Sequence, residues 1–223
     1  MKVCILQSNF LPWRGYFDLI RESDLFIVYD DVQYTKNDWR NRNRIKTPRG
    51  TQWITVPVHH HLRQSIEETP IDRSRPWAER MLNQIRESYR QAPHFEPYFS
   101  ELAERLAAPA ASISELNLRL MRWVCGHLGI ATPLRMSRDY RASGEKTERL
   151  IEILRQARAS TYLSGPAARA YLRAELFEQA GIRLEYKEYR YTEYEQLHPP
   201  YEPAVSVIDL LFMQGNEARA YLR

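Results

Sequence analysis

A chain of 223 residues with 43% hydrophobic and 27% charged residues can bury a full core, and with only 8 Gly and 13 Pro it is neither disordered, collagen-like nor repetitive. The formal net charge of +4 is too small an excess to mark a nucleic-acid binder by itself, so the local concentration of charge is what matters. No apolar stretch approaches the about 18 residues of a spanning helix, and Met1-Lys2-Val3-Cys4 runs straight into strand-like sequence, which predicts a soluble, cytoplasmic protein without a membrane span.

The apolar run from Lys2 to Gln7 predicts a buried parallel strand that ends in a Pro-containing turn. Trp13 to about Glu22 reads as an amphipathic helix with Tyr16, Phe17, Leu19 and Ile20 inward, and Asp24 to Tyr29 as a second buried strand. Residues 32–58 carry β-formers around a turn at Pro48-Arg49-Gly50, which predicts a hairpin. From Pro76 to about residue 130 the pattern is helical, with Met81, Ile85 and Tyr89 at near-helical spacing and further helices near 95–107 and 112–128. After Pro133 helix and strand alternate: Thr147 to Ala157 helical, Thr161 to Leu163 extended, Ala167 to Ala180 helical with a stop at Gly181, and Arg183 to Tyr189 extended. A proline-bearing tail leads to a last apolar segment from Val205 to Met213. The expected architecture is one α/β domain over residues 1–223, with a Rossmann-like parallel or mixed sheet, a helical insert or subdomain near 76–130, and a site at the strand carboxyl ends.

Cys4 and Cys125 stand in apolar surroundings without CxxC or Cys/His spacing, so they predict reduced, buried thiols and neither a disulfide framework nor a zinc site. Three constellations carry candidate chemistry. In the first, Gln7, Ser8, Asn9, Trp13, Gly15 and Tyr16 lie between a buried strand and a helix start, where unpaired backbone N–H groups favour a phosphate or carboxylate. The structural alternative there is a turn capped by Asn9, with Trp13 and Tyr16 as packing aromatics.

The second constellation is the basic run Lys36, Arg40, Arg42, Arg44, Lys46 and Arg49, offset by Asp38 and interleaved with Tyr34, Trp39, Asn41 and Asn43. Guanidinium groups next to rings and amides suit a small phosphorylated ligand with a planar base, although a polyanion such as RNA or a plain solvated surface also fits. Strand alternation would set Arg40, Arg42 and Arg44 on one face, apart from Asn41 and Asn43. Asp30 and Asp31 end the second strand, and Asp31 is a candidate to hold a ribose, a magnesium ion or an arginine. His59 of the run His59-His60-His61 is a candidate general acid or base.

In the third constellation Ser164 and Gly165 precede an expected helix start, with Arg169 within reach, so that Ser164 either caps the helix or faces a phosphate; Lys146 and Thr147 could join that rim. There is no GxSxG elbow and no complete metal site, the cofactor is left open, and a magnesium ion could arrive with a phosphate substrate. Lys36, Arg40 and Arg42 would neutralise charge on transferring or leaving oxygens, and no residue is assigned as nucleophile.

The runs SNFLPWRGYFDLI, YDDVQYTKNDWRNRNRIKT with TQWITVPV, and YLSGPAARAYL resemble the WbqC-like protein family over essentially the whole chain. The resemblance implies a bacterial protein associated with O-antigen or other surface-polysaccharide genes. Trp13-Arg14-Gly15-Tyr16 is also similar in layout to the His-x-Gly-His of HIGH-type nucleotidyltransferases, with both histidines replaced, and Leu163-Ser164-Gly165-Pro166 is similar to their late phosphate loop. In those enzymes the imidazoles contact nucleotide phosphates; Trp13 and Tyr16 offer stacking or a hydroxyl instead. Together these readings point to a nucleotide- or nucleotide-sugar-binding transferase of surface-polysaccharide biosynthesis, by acyl, aminoacyl or nucleotidyl transfer to or from a phosphorylated small molecule. A non-catalytic nucleotide-sugar binder or scaffold and an RNA-binding protein are the alternatives, nucleic acid being the weaker one.

Overall fold

Residues 1–222 are described in a computed structural model. Five strands form an all-parallel sheet: β1 (Lys2–Leu6), β2 (Leu25–Val28), β5 (Leu134–Met136), β6 (Thr161–Ser164) and β7 (Arg183–Tyr186), in the order β5-β2-β1-β6-β7. The expected strand, helix, strand opening is β1, α1 (Arg14–Arg21) and β2, with Val3 opposite Leu25 and Leu6 opposite Val28. From β2 the chain reaches the edge strand β5 only after a long excursion. It then crosses back through α5 (Lys146–Gln156) to lay β6 on the other side of β1.

Both faces of the sheet are covered, which is why its strands read as continuous apolar runs. Val3, Ile5, Ile27 and Tyr162 pack on one face against α5 and α6 (Ala174–Gln179), through Leu150, Ile153, Leu154 and Phe177. Cys4, Phe26, Val28 and Leu163 face the other way, into the larger core with α1 and a helical layer of α2 (Trp77–Tyr89), α3 (Phe95–Ala107) and α4 (Ile113–His127). The last apolar segment is α7 (Val207–Gln214), buried in the same core and capped by Ser206. Cys4 and Cys125 are free and buried; burial pushes both thiols up, Cys125 to about 12.

The hairpin β3 (Arg42–Thr47) and β4 (Gly50–Thr55) is a separate two-stranded unit that turns at Pro48-Arg49 into Gly50, whose φ of +98° suits a residue without a Cβ. Two details differ from the sequence reading. The short edge strand β5 carries no strong apolar run and is found only through its pairing with β2. The helix expected over 167–180 is two pieces, a 3₁₀ turn at Pro166–Ala170 and α6; Tyr171 leaves the helical region, and the Arg173 N–H turns aside to the Thr147 hydroxyl.

The segment after β7 folds back over α1 and is fastened by one buried carboxylate. One Asp18 oxygen accepts from the Arg21 guanidinium at 2.6 and 3.0 Å, and the other from the Tyr191 hydroxyl at 2.8 Å and Lys187 Nζ at 2.6 Å. Asp18→Asn leaves Lys187 largely buried with only Glu22 as a counter-charge. The expected loss is about 3 kcal/mol, read as a lower urea midpoint at unchanged slope.

Candidate functional site

At the carboxyl end of β1 the chain does not surface. Ser8, Phe10 and Leu11 are buried, so each of their backbone groups needs a partner inside the protein. The Ser8 N–H donates to Asp30 Oδ1 at 2.8 Å, and Ser8 O accepts from Arg40 Nη1 at 3.1 Å. Asn117 on α4 donates from one amide nitrogen to Ser8 Oγ at 3.0 Å and to Arg40 O at 2.8 Å. The Asn43 side chain on β3 donates to Phe10 O at 3.1 Å and Leu11 O at 2.7 Å, the Phe10 N–H bonds Trp39 O at 2.9 Å, and the Val207 N–H bonds Pro12 O at 3.0 Å. Leu11, held this way, sits at φ +41°, a left-handed conformation that costs a non-glycine residue about 1–3 kcal/mol. Hairpin, helical layer and C-terminal segment are thereby all fastened to one loop.

Beside this loop lies a cleft of about 220 Å³ lined by Asn9, Pro12, Trp13, Trp39, Asn43, Arg44 and Ala204. Trp13 folds its ring back over Gly15, where an added Cβ would fall 2.3 Å from the indole, and Tyr189 meets the ring edge-on at 4.8 Å. Trp39 packs on Trp53 at 5.4 Å, and the guanidinium groups of Arg42 and Arg44 lie 4.2 and 6.0 Å from the Trp53 ring centre. Arg42 and Arg44 are two apart on one strand face, as alternation requires, and among the described residues their guanidinium groups donate only to the carbonyls of Asn37 and Ala204. The Nε of each, like that of Arg14 and Arg40, and Asn9 Oδ1 are buried without a hydrogen-bond partner among the described residues.

The other sequence-derived candidates divide by what holds them. Arg40 is buried beside Asp38 at 3.6 Å and on Ser8 O. Burial alone would raise the Asp38 carboxyl, but Arg40 and its hydrogen bonds outweigh it and hold the group below the usual range. Asn41 is spent within the hairpin base, accepting from the Tyr34 hydroxyl and donating to Val56 O, and Lys46 donates to Pro200 O at 2.5 Å. Lys36 is exposed. Tyr16 is buried with its hydroxyl on Gln7 O at 2.9 Å, and the Gln7 side chain borders a different hollow. Asp31 accepts from the Ser137 hydroxyl at 2.5 Å and Arg149 at 2.6 Å, and His59 stands exposed 3.3 Å from Asp72. Ser164 is buried at the end of β6 and does not line the cleft among the described residues; Gly165 reaches its neighbourhood only through Tyr189. Arg169 lies over the Tyr186 ring at 4.2 Å. The N-terminal turn and the arginine hairpin therefore meet in one cleft, and the serine-glycine corner stands apart from it. The 3₁₀ turn after Gly165 also replaces the helix start expected there.

Asn43 and Arg44 come from the basic, amide-bearing run singled out in the sequence, and Pro12 and Ala204 complete the cleft. The signal for Arg44 was its place two residues after Arg42; Ala204 had none. Arg14 is a further surprise: it is buried, donates to Thr192 O, Tyr221 O and the Tyr201 hydroxyl, and lies 4.4 Å from the Tyr191 ring centre. Among the described residues no group of three or more His, Cys, Asp or Glu gathers as a metal site, and no helix is long and apolar enough to cross a membrane.

Comparison with known proteins gives two results. The WbqC-like protein family matches residues 7–221. The uncharacterized protein Rv1507c of Mycobacterium tuberculosis (strain ATCC 25618 / H37Rv) is 48% identical over 230 residues, covering 100% of this chain and 97% of its own. No solved structure matches.

Two outcomes test this geometry. Gly15→Ala is expected to push the Trp13 ring out of place, while Gly126→Ala, whose Cβ meets nothing within 4 Å, serves as the neutral control; near-ultraviolet circular dichroism should change only in the first. Burial raises the Asp30 carboxyl above the ordinary aspartate value, more than its bonds from Ser114 and Ser8 lower it. Between those two values the folded state holds the extra proton, so the Asp30 contribution to stability falls as pH rises. Urea titrations run upward in pH from the ordinary aspartate range should show wild type losing ground steadily to Asp30→Asn until the folded carboxyl has ionised.

Proposed function

The chain belongs to the WbqC-like protein family, and from that premise we propose that it binds a nucleotide or nucleotide-sugar in the cleft beside Asn9 and transfers a group from it in the assembly of bacterial surface polysaccharide. The observation that carries this reading is the pair Arg42 and Arg44. Neither has a carboxylate partner among the described residues, both have an unpartnered buried Nε, and both flank an indole next to a cleft walled by two more. A phosphorylated ligand with a planar base satisfies both halves of that lining, since guanidinium groups grip phosphate oxygens and rings stack on rings. As an acceptor oxygen or nitrogen forms its bond to the transferred group and gives up its proton to solvent, the bond from that group to the nucleotide breaks with its electron pair on a phosphate oxygen, which the arginines neutralise. The basic run is divided between buried Arg40 and Lys46, the Arg42–Arg44 face, and exposed ends at Lys36 and Arg49, which favours a small anion over an extended RNA strand.

A second reading has its own support. The cleft lining holds no carboxylate, histidine, cysteine or hydroxyl among the described residues, which suits a non-catalytic nucleotide-sugar binder. Thermal-shift titration with nucleoside diphosphates and their sugars, then mass spectrometry of each hit incubated with magnesium, separates the two: a binder gives a shift and no product. Arg44→Ala removes a charge-assisted contact and is expected to weaken binding about tenfold to hundredfold, with Asn9→Ala weaker in the same direction. Wild-type affinity in both folded variants would place the ligand elsewhere.

A further inference from the structure

On the opposite face of the sheet, at the same strand ends, lies a second hollow of about 220 Å³. Its position is the one that parallel-sheet topology favours for ligands. The chain leaves β1 toward β2 on one side and reaches β6, the other neighbour of β1, only by crossing back through α5, so the loops part outside these two strands. The lining is mostly apolar, with Tyr29, Tyr162 and Tyr171 around Leu150. Tyr162 is fixed from behind by the Phe177 ring, stacked at 5.4 Å and 12°, whereas Tyr171 is 67% exposed and forms an outer wall. Lys146, exposed, stands at the rim where this hollow meets the next, and two uncharged polar groups interrupt the surface further in: the Thr147 hydroxyl and the Gln7 side-chain amide, which has no hydrogen-bond partner among the described residues. The adjoining, more open hollow brings Lys146 and Arg173 together with Glu145 and Glu148, so its charges balance, unlike the arginine cleft.

We propose that this hollow at the β1–β6 parting is a second ligand site that takes an uncharged planar ring, its faces against the tyrosines and its edge read by Gln7 and Thr147. A mostly apolar pocket with few polar groups recognises a ring by shape and edge, and its one cation, Lys146, stands at the rim beside Glu145 and Glu148 and needs no anionic ligand. The site uses none of the residues of the arginine cleft and stands independently of it.

Indole and adenosine serve as uncharged ring probes and inorganic pyrophosphate as the probe of the arginine cleft, each titrated into the full chain by calorimetry. At least one ring probe is expected to saturate, with Tyr171→Ala and Gln7→Leu each weakening it about tenfold, the scale of one stacking or edge contact. Pyrophosphate binding should be unchanged in both variants, and Arg44→Ala should do the reverse. Tyr171 is largely exposed, so its removal leaves the fold intact, which circular dichroism checks. Independence of the ring probe from pyrophosphate would support a second site, and competition between them would overturn it. Ring binding without pyrophosphate binding would leave this site standing and remove the cleft reading. Failure of both ring probes to saturate, or wild-type affinity in both variants, would overturn the proposal.

Discussion

The architecture depends on keeping one buried loop hydrogen-bonded. Between Leu6 and Trp13 the chain runs under the hairpin and the helical layer, and at Ser8, Phe10, Leu11 and Pro12 it is buried, so that its backbone groups there need partners within the protein. Side chains from distant segments do so instead: Asp30 from the end of β2, Arg40 from just before the hairpin and Asn43 from within it, while Asn117 from α4 holds the Ser8 hydroxyl. An unmade bond here costs about 1–3 kcal/mol, a large fraction of a domain's net stability. The chemistry of each partner follows from its task. An amide such as Asn43 can serve two successive carbonyls from one nitrogen while its oxygen accepts the Arg44 N–H at 2.7 Å.

That constraint sorts the charges. Arg40 and Lys46 sit in the same run as Arg42 and Arg44, yet the first two are committed, one to Asp38 and Ser8, the other to Pro200 in the C-terminal segment. What remains for a ligand is the outer strand face, where two guanidinium groups lie around Trp53. An indole face holds a guanidinium in place without neutralising it, so the charge is oriented and still available. The rigid loop and this prepositioned pair would lower the ordering cost of the proposed binding, because neither would have to be assembled when a ligand arrives.

Much of the sheet was legible because buried parallel strands write themselves as apolar runs, and Lys2 to Leu6, Leu25 to Val28 and Thr161 to Ser164 fall where those runs predict. The three helices between 76 and 130 followed from spacing, as did the hairpin turn. Strand order was not legible, nor was β5, whose Leu-Arg-Met is a strand only by virtue of its neighbour. The site was half legible for the same reason. Residue types named the anion-binding candidates, but whether an arginine faces a ligand or a carbonyl is decided by tertiary partners hundreds of atoms away along the chain. Arg14 shows this most plainly, since an arginine in the first turn of a helix reads as solvated until Tyr191, Tyr194 and Tyr201 close around it.

The same reasoning explains the tetrad Trp13-Arg14-Gly15-Tyr16, whose layout resembles a motif that elsewhere carries two imidazoles. Each of the two replaced positions now has a structural task. Trp13 lies across Gly15 with no room for a Cβ beneath it, and Tyr16 spends its hydroxyl on Gln7 O, deep in the core. Arg14, the one cation in the tetrad, is turned away to the C-terminal segment. A loop arranged this way can shape and wall a cleft but brings no positive charge to it. An anion held beside Asn9 would therefore be neutralised from the hairpin, where Arg42 and Arg44 stand without acidic partners among the described residues.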